Sequence, residues 1–145
     1  MLTVLVIDES RSRAGEICAG LALAGYQVAA ILAGSENLTA EVEKLQPDVI
    51  LIDTDSPSRD TLEHLAAMNK NMPRPVVIFT QEDGQATIRD AVKAGVSAYI
   101  VDGLDPKRIK PIVEVARARF EDTQALRREL DEISQKLSDR KLVDK

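Results

Sequence analysis

Val49-Ile50-Leu51-Ile52-Asp53-Thr54-Asp55 is the stretch from which the fold can be read. Four aliphatic residues run without a polar break, and carboxylates follow at once. A strand with one wet face would alternate apolar and polar side chains. An unbroken run is how a strand buried on both faces of a parallel sheet looks. Similar runs occupy residues 2–7, 27–32, 76–79 and 98–101.

Between these runs lie helical signals. Ser10 precedes a helix to about Ala24, with Gly25 where a C-terminal glycine belongs. Ser35 opens a second helix, stopped before Gln46-Pro47. A third runs from about Ser58 to Lys70, and a fourth from near Asp83 to Gly95. A fifth starts at Asp105-Pro106, an N-cap followed by a proline at the first helical position. Strand and helix alternate five times. The expected architecture is α/β: a five-stranded, parallel, doubly wound (βα)5 sheet with helices on both faces.

Composition agrees with this. The chain has 145 residues, 44% apolar and 30% charged, with a net charge of -5. That suits one domain with an appendage and excludes wholesale disorder. The acidic balance argues against a nucleic-acid coat protein. The single cysteine, Cys18, cannot form an intrachain disulfide, which points to a reducing compartment. Residues 17–34 are apolar enough to raise a membrane span, but Gly25 divides them into a helix and a strand. With Asp8 and Glu9 too early for a signal peptide, the expected location is cytoplasmic, with no membrane.

The last thirty residues differ. Residues 116–145 contain no Gly, no Pro and nearly balanced charge. Phe120, Thr123, Leu126, Leu130, Ile133 and Leu137 follow one another at heptad steps after Thr123. One helix over 106–145 would span ~60 Å at ~1.5 Å per residue, so most of its apolar stripe lies beyond the domain. A parallel homodimer through this helix is expected. The division is therefore a globular domain over 1–118 and a coiled-coil linker helix over 119–145.

Ligands of open parallel sheets bind at the carboxyl ends of strands. Here those ends carry Asp8 and Glu9, Asp53 and Asp55, Thr80, and Asp102-Gly103. Asp8, Glu9 and Asp53 held together would repel one another and need a cation. Mg²⁺, which takes few carboxylates and several waters, fits that demand. His64, mid-helix without a second His or Cys nearby, reads as a surface or half-buried histidine. Cys18, on a stripe with Leu21, reads as core packing.

With these residues in view, the chain resembles the receiver domains of two-component response regulators, whose fold is flavodoxin-like. The resemblance rests on Asp8-Glu9, Asp53 followed by Pro57, Thr80, Ala94-Gly95 and Ala98-Tyr99. It implies that Asp53 is the phosphoacceptor of a phosphorelay, with a histidine kinase as donor. It implies that Asp8, Glu9 and Asp53, with the backbone carbonyl of Asp55, hold Mg²⁺. Thr80 would bond a phosphoryl oxygen, and Tyr99 would move inward with it. The metal and donors would stabilise charge on the transferred oxygens.

Asp102 stands where receivers place a phosphoryl-binding lysine. Pointing inward, an anion for a cation there would change the interaction with a phosphoryl group by on the order of several kcal/mol, and the alternative is an Asp102 turned out to solvent. The same segment, Ala98-Tyr99-Ile100-Val101-Asp102-Gly103-Leu104 with Pro106, Arg108 and Pro111-Ile112, looks like the NasT branch of the AmiR/NasT family, as does residues 116–120 with Gln124. That family joins a receiver, through a coiled coil, to an RNA-binding ANTAR domain. Residues 137–145 look like the opening of that domain, most of which is absent here.

The resemblance implies transcription antitermination in nitrate and nitrite assimilation, by binding leader RNA hairpins in the full-length protein only. Control would come from phosphorylation at Asp53 or, as the missing lysine favours, from a nitrate-sensing partner of the NasS kind. Two alternatives are a phosphorylation-independent protein-binding pseudo-receiver and a haloacid-dehalogenase-like phosphatase using Asp53 and Asp55. The second needs a downstream lysine that the strand ends do not offer. The expectation is a protein without enzymatic turnover.

Overall fold

The computed structural model describes residues 1–9, 14–34, 37–102 and 104–143, with side chains for all of these but 14 and 139–143. Five strands form one parallel sheet: β1 (Thr3–Asp8), β2 (Gln27–Leu32), β3 (Val49–Asp53), β4 (Val76–Thr80) and β5 (Ala98–Val101). Their spatial order is β2-β1-β3-β4-β5. The order reverses between β1 and β3, so the loops leaving these two strands diverge and leave a crevice.

Five helices cover the two faces. They are α1 (Ala14–Ala24), α2 (Leu38–Leu45), α3 (Arg59–Asn71), α4 (Gln85–Lys93) and α5 (Ile109–Val143). Strand alternation divides the core in two. Leu5, Ile7, Ile50, Ile52, Val76 and Ile78 pack against α2, α3 and α4. Val4, Val6, Val49, Leu51, Val77 and Phe79 pack against α1 and α5. The doubly wound architecture is the one the sequence predicts.

Local chemistry explains the element ends. The Ser58 hydroxyl accepts the Thr61 N–H at 3.1 Å and starts α3, whose buried stripe is Leu62, Leu65 and Met68. The Asn37 side chain accepts the Ala40 N–H at 3.2 Å and starts α2. The expected starts at Ser10 and Ser35 lie outside the described residues. Asp105 accepts the Lys107 N–H at 3.0 Å, but Pro106–Arg108 turn as a tight 3-10 segment before α5 proper begins. The fourth helix opens at Gln85 rather than Asp83, because Gly84 occupies the N-cap.

Only the three inner strands are buried on both faces. Every residue of β3 and β4 is buried, and all but the first of β1, whereas β2 and β5 are half-exposed. The two outer strands have a neighbour on one side only. Asp8, Asp53 and Thr80 are the last residues of their strands rather than loop residues.

Two glycines allow close approaches. A Cβ on Gly20 would collide with the Ile109 side chain and sit 3.0 Å from the Pro106 backbone, so only glycine lets α1 lie against the start of α5. Gly95 has a φ of +97° and would meet the Asn69 amide. That amide donates to the Ala94 carbonyl at 2.8 Å and accepts the Arg74 N–H at 3.3 Å, closing α3 against the turn into β5.

Helix α5 has 35 residues. Its last fully buried residue is Ala116. Beyond it, Leu126, Leu130, Ile133 and Leu137 are each more than half exposed. No helix among the described residues is long and apolar enough to cross a membrane.

Candidate functional site

The carboxyl ends of β1 and β3 bring Asp8 and Asp53 together. The two are directly opposite in register, and both are buried, at 4% and 0% exposed. Alternation sends both side chains to the face covered by α1 and α5. Of the expected acidic set, these two share a position.

Glu9 takes the other face. Its N–H still donates to the Asp53 carbonyl at 2.9 Å, which carries the ladder one residue past the strand. Its carboxylate accepts the Thr54 hydroxyl at 2.9 Å and the Thr61 hydroxyl at 3.0 Å. It therefore joins the ends of β1 and β3 to the first turn of α3. Gly34, whose Cβ would stand 2.8 Å from the Glu9 side chain, leaves room for it. His64 lies exposed on α3 and lines the same hollow as Glu9 and Thr61.

Thr80 and Tyr99 form a second cluster, on the α3–α4 side of the sheet. The Thr80 hydroxyl donates to the Asp55 carbonyl at 2.9 Å and accepts the Glu82 N–H at 3.2 Å. The Tyr99 hydroxyl donates to the Glu82 carbonyl at 2.8 Å. Burial, reinforced by the nearby charge of Glu82, raises the Tyr99 pKa above its ordinary value. The Asp55 carbonyl also accepts the Gln81 N–H at 3.3 Å. It faces β4, with two donors already on it.

Asp102 is exposed and has a left-handed backbone, with φ of 55°. Aspartate tolerates that region better than most residues, and the conformation turns the chain away at the end of β5. Gly103 lies outside the described residues.

The donor set fits Mg²⁺ in a reduced form. Two buried carboxylates in register, Asp8 and Asp53, supply the one or two that this ion takes. Glu9 and the Asp55 carbonyl are engaged elsewhere. Among the described residues, no three His, Cys, Asp or Glu side chains gather as a metal-binding group.

Tyr26 and Glu114 form a contact that the sequence reading did not single out. The Tyr26 hydroxyl donates to Glu114 Oε1 at 2.7 Å, and Arg117 donates to both Glu114 oxygens at 3.3 and 3.0 Å. Burial, with the accepting Glu114 carboxylate, pushes the Tyr26 pKa up to about 12. The Tyr26 hydrogen bond holds the Glu114 carboxyl below its usual range. Tyr26 and Glu114 are 88 residues apart, and no local pattern announces the pair.

An acidic crevice at the β1–β3 switch, a Thr80–Tyr99 pair beside it and a β2-β1-β3-β4-β5 sheet are the parts of one known design. The family model for the response regulator receiver domain matches residues 4–114. The chain belongs to the response regulator receiver family. The receiver is 26% identical over 121 residues to the transcriptional regulatory protein PdtaR of Mycobacterium tuberculosis, an alignment covering 83% of this chain and 59% of that protein. It is 32% identical over 139 residues to a protein-glutamate methylesterase/protein-glutamine glutaminase of Photobacterium profundum, covering 92% of this chain and 32% of that one. The chain thus spans 59% and 32% of the lengths of these relatives. Its fold matches a CheY-like receiver domain protein from Methanospirillum hungatei with a TM-score of 0.71 at 19% identity, over 85% of this chain and 98% of that one.

Proposed function

We propose that this receiver passes its signal by protein contact, without phosphoryl chemistry at Asp53. The observation that carries this reading is the burial of Asp53: its residue exposure is 0%. A phosphoryl donor must reach a carboxylate oxygen in line. Here that oxygen is closed off in the resting fold. The surroundings support the same reading. The lysine position holds Asp102, exposed and turned by a left-handed backbone. The Thr80 hydroxyl and the Asp55 carbonyl, the donor and acceptor a phosphoryl–metal site would use, bond each other instead.

Mg²⁺, when bound by Asp8 and Asp53, would offset the repulsion between two carboxylates side by side. Asp8 and Asp53 lie side by side on one face because their register is shared. Glu9 holds the β3–α3 junction closed through Thr54 and Thr61. The receiver has no turnover of its own in this reading.

The domain would occupy residues 1–118 and the linker residues 119–145, whose described part, to Val143, is helical and whose apolar stripe would pair two copies in parallel. Through this helix the receiver would present an RNA-binding output of the AmiR/NasT kind, acting in the cytoplasm on leader RNA of nitrate and nitrite assimilation operons. A nitrate-sensing protein of the NasS kind would grip the receiver directly. The Asp102 segment and residues 116–120 with Gln124 support the assignment. The test uses the whole regulator in a cell carrying a leader-RNA reporter. Asp53→Asn should keep full induction by nitrate. Loss of induction to the uninduced level would overturn the reading.

A further inference from the structure

The end of the sheet opposite the acidic crevice carries a second concavity, of about 500 Å³. It lies between the end of α3, the turn from α4 into β5, and the stretch of α5 where the helix leaves the domain. Lys70, Lys93, Arg119 and Arg127 line it, and no acidic side chain does. None of the four makes an ion pair among the described residues. The first 115 residues carry 11 Lys and Arg against 17 Asp and Glu. Lys70 and Lys93 come from that acidic part and Arg119 and Arg127 from α5 beyond it, so the hollow is a local reversal of the domain's charge, maintained against the mutual repulsion of four like charges.

The half-buried ring of Phe120 lies in the same wall. An aromatic face among cations suits a ligand that is both planar and anionic. Size narrows the class. Arg119 and Arg127 are eight residues apart on one helix, about 12 Å at about 1.5 Å per residue. That is the reach of a polyphosphate chain with its sugar, not of an extended strand. The hollow falls within the usual range for a small-molecule site.

We propose that this groove binds a nucleoside polyphosphate, with the phosphates on the four cations and the base against Phe120. A ligand there touches α3, the α4–β5 turn and α5 at once. It would fix the angle at which α5 leaves the receiver, and so bias whatever α5 carries.

The test is calorimetric titration of the full chain with ATP, at low and at raised salt. Saturable one-site binding that weakens as salt rises is expected. The double variant Lys93→Ala, Arg127→Ala should weaken it about tenfold or more, since charge-assisted bonds to phosphate are the strong ones. Arg119→Gln, a single change at an exposed position, gives the same direction if the double variant folds poorly. Arg89→Ala, which removes an exposed cation of α4 outside the groove, should bind ATP as the parent does. Failure of ATP to bind overturns the proposal, as does an equal loss in Arg89→Ala. So does tight binding of a single-stranded oligonucleotide or a poly-glutamate peptide that ATP cannot displace.

Discussion

Thr54 and Thr61 each give a hydroxyl proton to Glu9, and the two bonds differ in setting. Thr54 is 3% exposed and also lies 3.2 Å from the Ser56 carbonyl, while Thr61 is half-buried at the start of α3. Thr61→Val should cost about 1 kcal/mol, the net worth of one hydrogen bond. Thr54→Val should cost more, about 1–3 kcal/mol, because it strips a partner from a carboxylate at a buried junction. Urea denaturation followed by circular dichroism checks both. Asp8 ends β1 and Glu9 is the first residue beyond it, so the two adjacent carboxylates take different partners in this fold. The acidic pair itself was legible in the sequence. The hydroxyls that receive Glu9 were not legible, since they come from 45 and 52 residues away. The tyrosines give a second test at this scale. The chain has two tyrosines and no tryptophan. The Tyr26 pKa is pushed up to about 12 and that of Tyr99 above its ordinary 10.0, so absorbance at pH 10 should show less tyrosinate in the folded protein than in the unfolded chain. The unfolded chain loses those protons near 10.0 while the folded chain keeps them. Stability from Tyr26 is therefore complete below pH 10 and falls as the pH rises towards 12, and that from Tyr99 falls in the same direction.

At the scale of elements, α5 does two things along one helix. Ile109, Val113 and Ala116 close the core against α1 and the sheet. Leu126, Leu130, Ile133 and Leu137 continue the helix with no cover from the domain. The heptad spacing made this stripe legible, because apolar residues at steps of three and four have few other uses on a solvated helix. In the proposed dimer, Leu130→Lys should raise the dissociation constant by about a hundredfold, from a charge placed in the seam. Light scattering on a sizing column reads it, and an unchanged mass would exclude this stripe as the interface. The five strands were legible for the same kind of reason. Three are fully apolar runs. The ends were less so: α2 starts at Leu38 after the Asn37 cap and α4 at Gln85 after Gly84, where the caps, not the periodicity, decide. Gly95→Ala should cost at least about 1 kcal/mol in thermal or chemical unfolding, from its positive φ and the contact with Asn69.

For the whole molecule, the order of the strands matters most. It sets Asp8 beside Asp53 at the switch point, on the face that α1 and α5 cover, while α5 runs back along that face and leaves the domain at the opposite end of the sheet. The receiver family was legible in the acidic pair, Asp53, Thr80 and Tyr99. The burial of Asp53 was not, since burial depends on how the loops close over a strand end and no residue pattern states it. Nor was the bond between Thr80 and Asp55, which needs the β3 and β4 loops in place. Together these leave a receiver whose Asp53, at the end of β3, is buried. The direct measurement is intact mass after incubation with acetyl phosphate and Mg²⁺, beside Asp53→Asn and beside an ordinary receiver that takes the label. The account predicts no added phosphoryl group on this chain under conditions that label the ordinary receiver. One phosphoryl group on the parent chain, absent from Asp53→Asn, would contradict it.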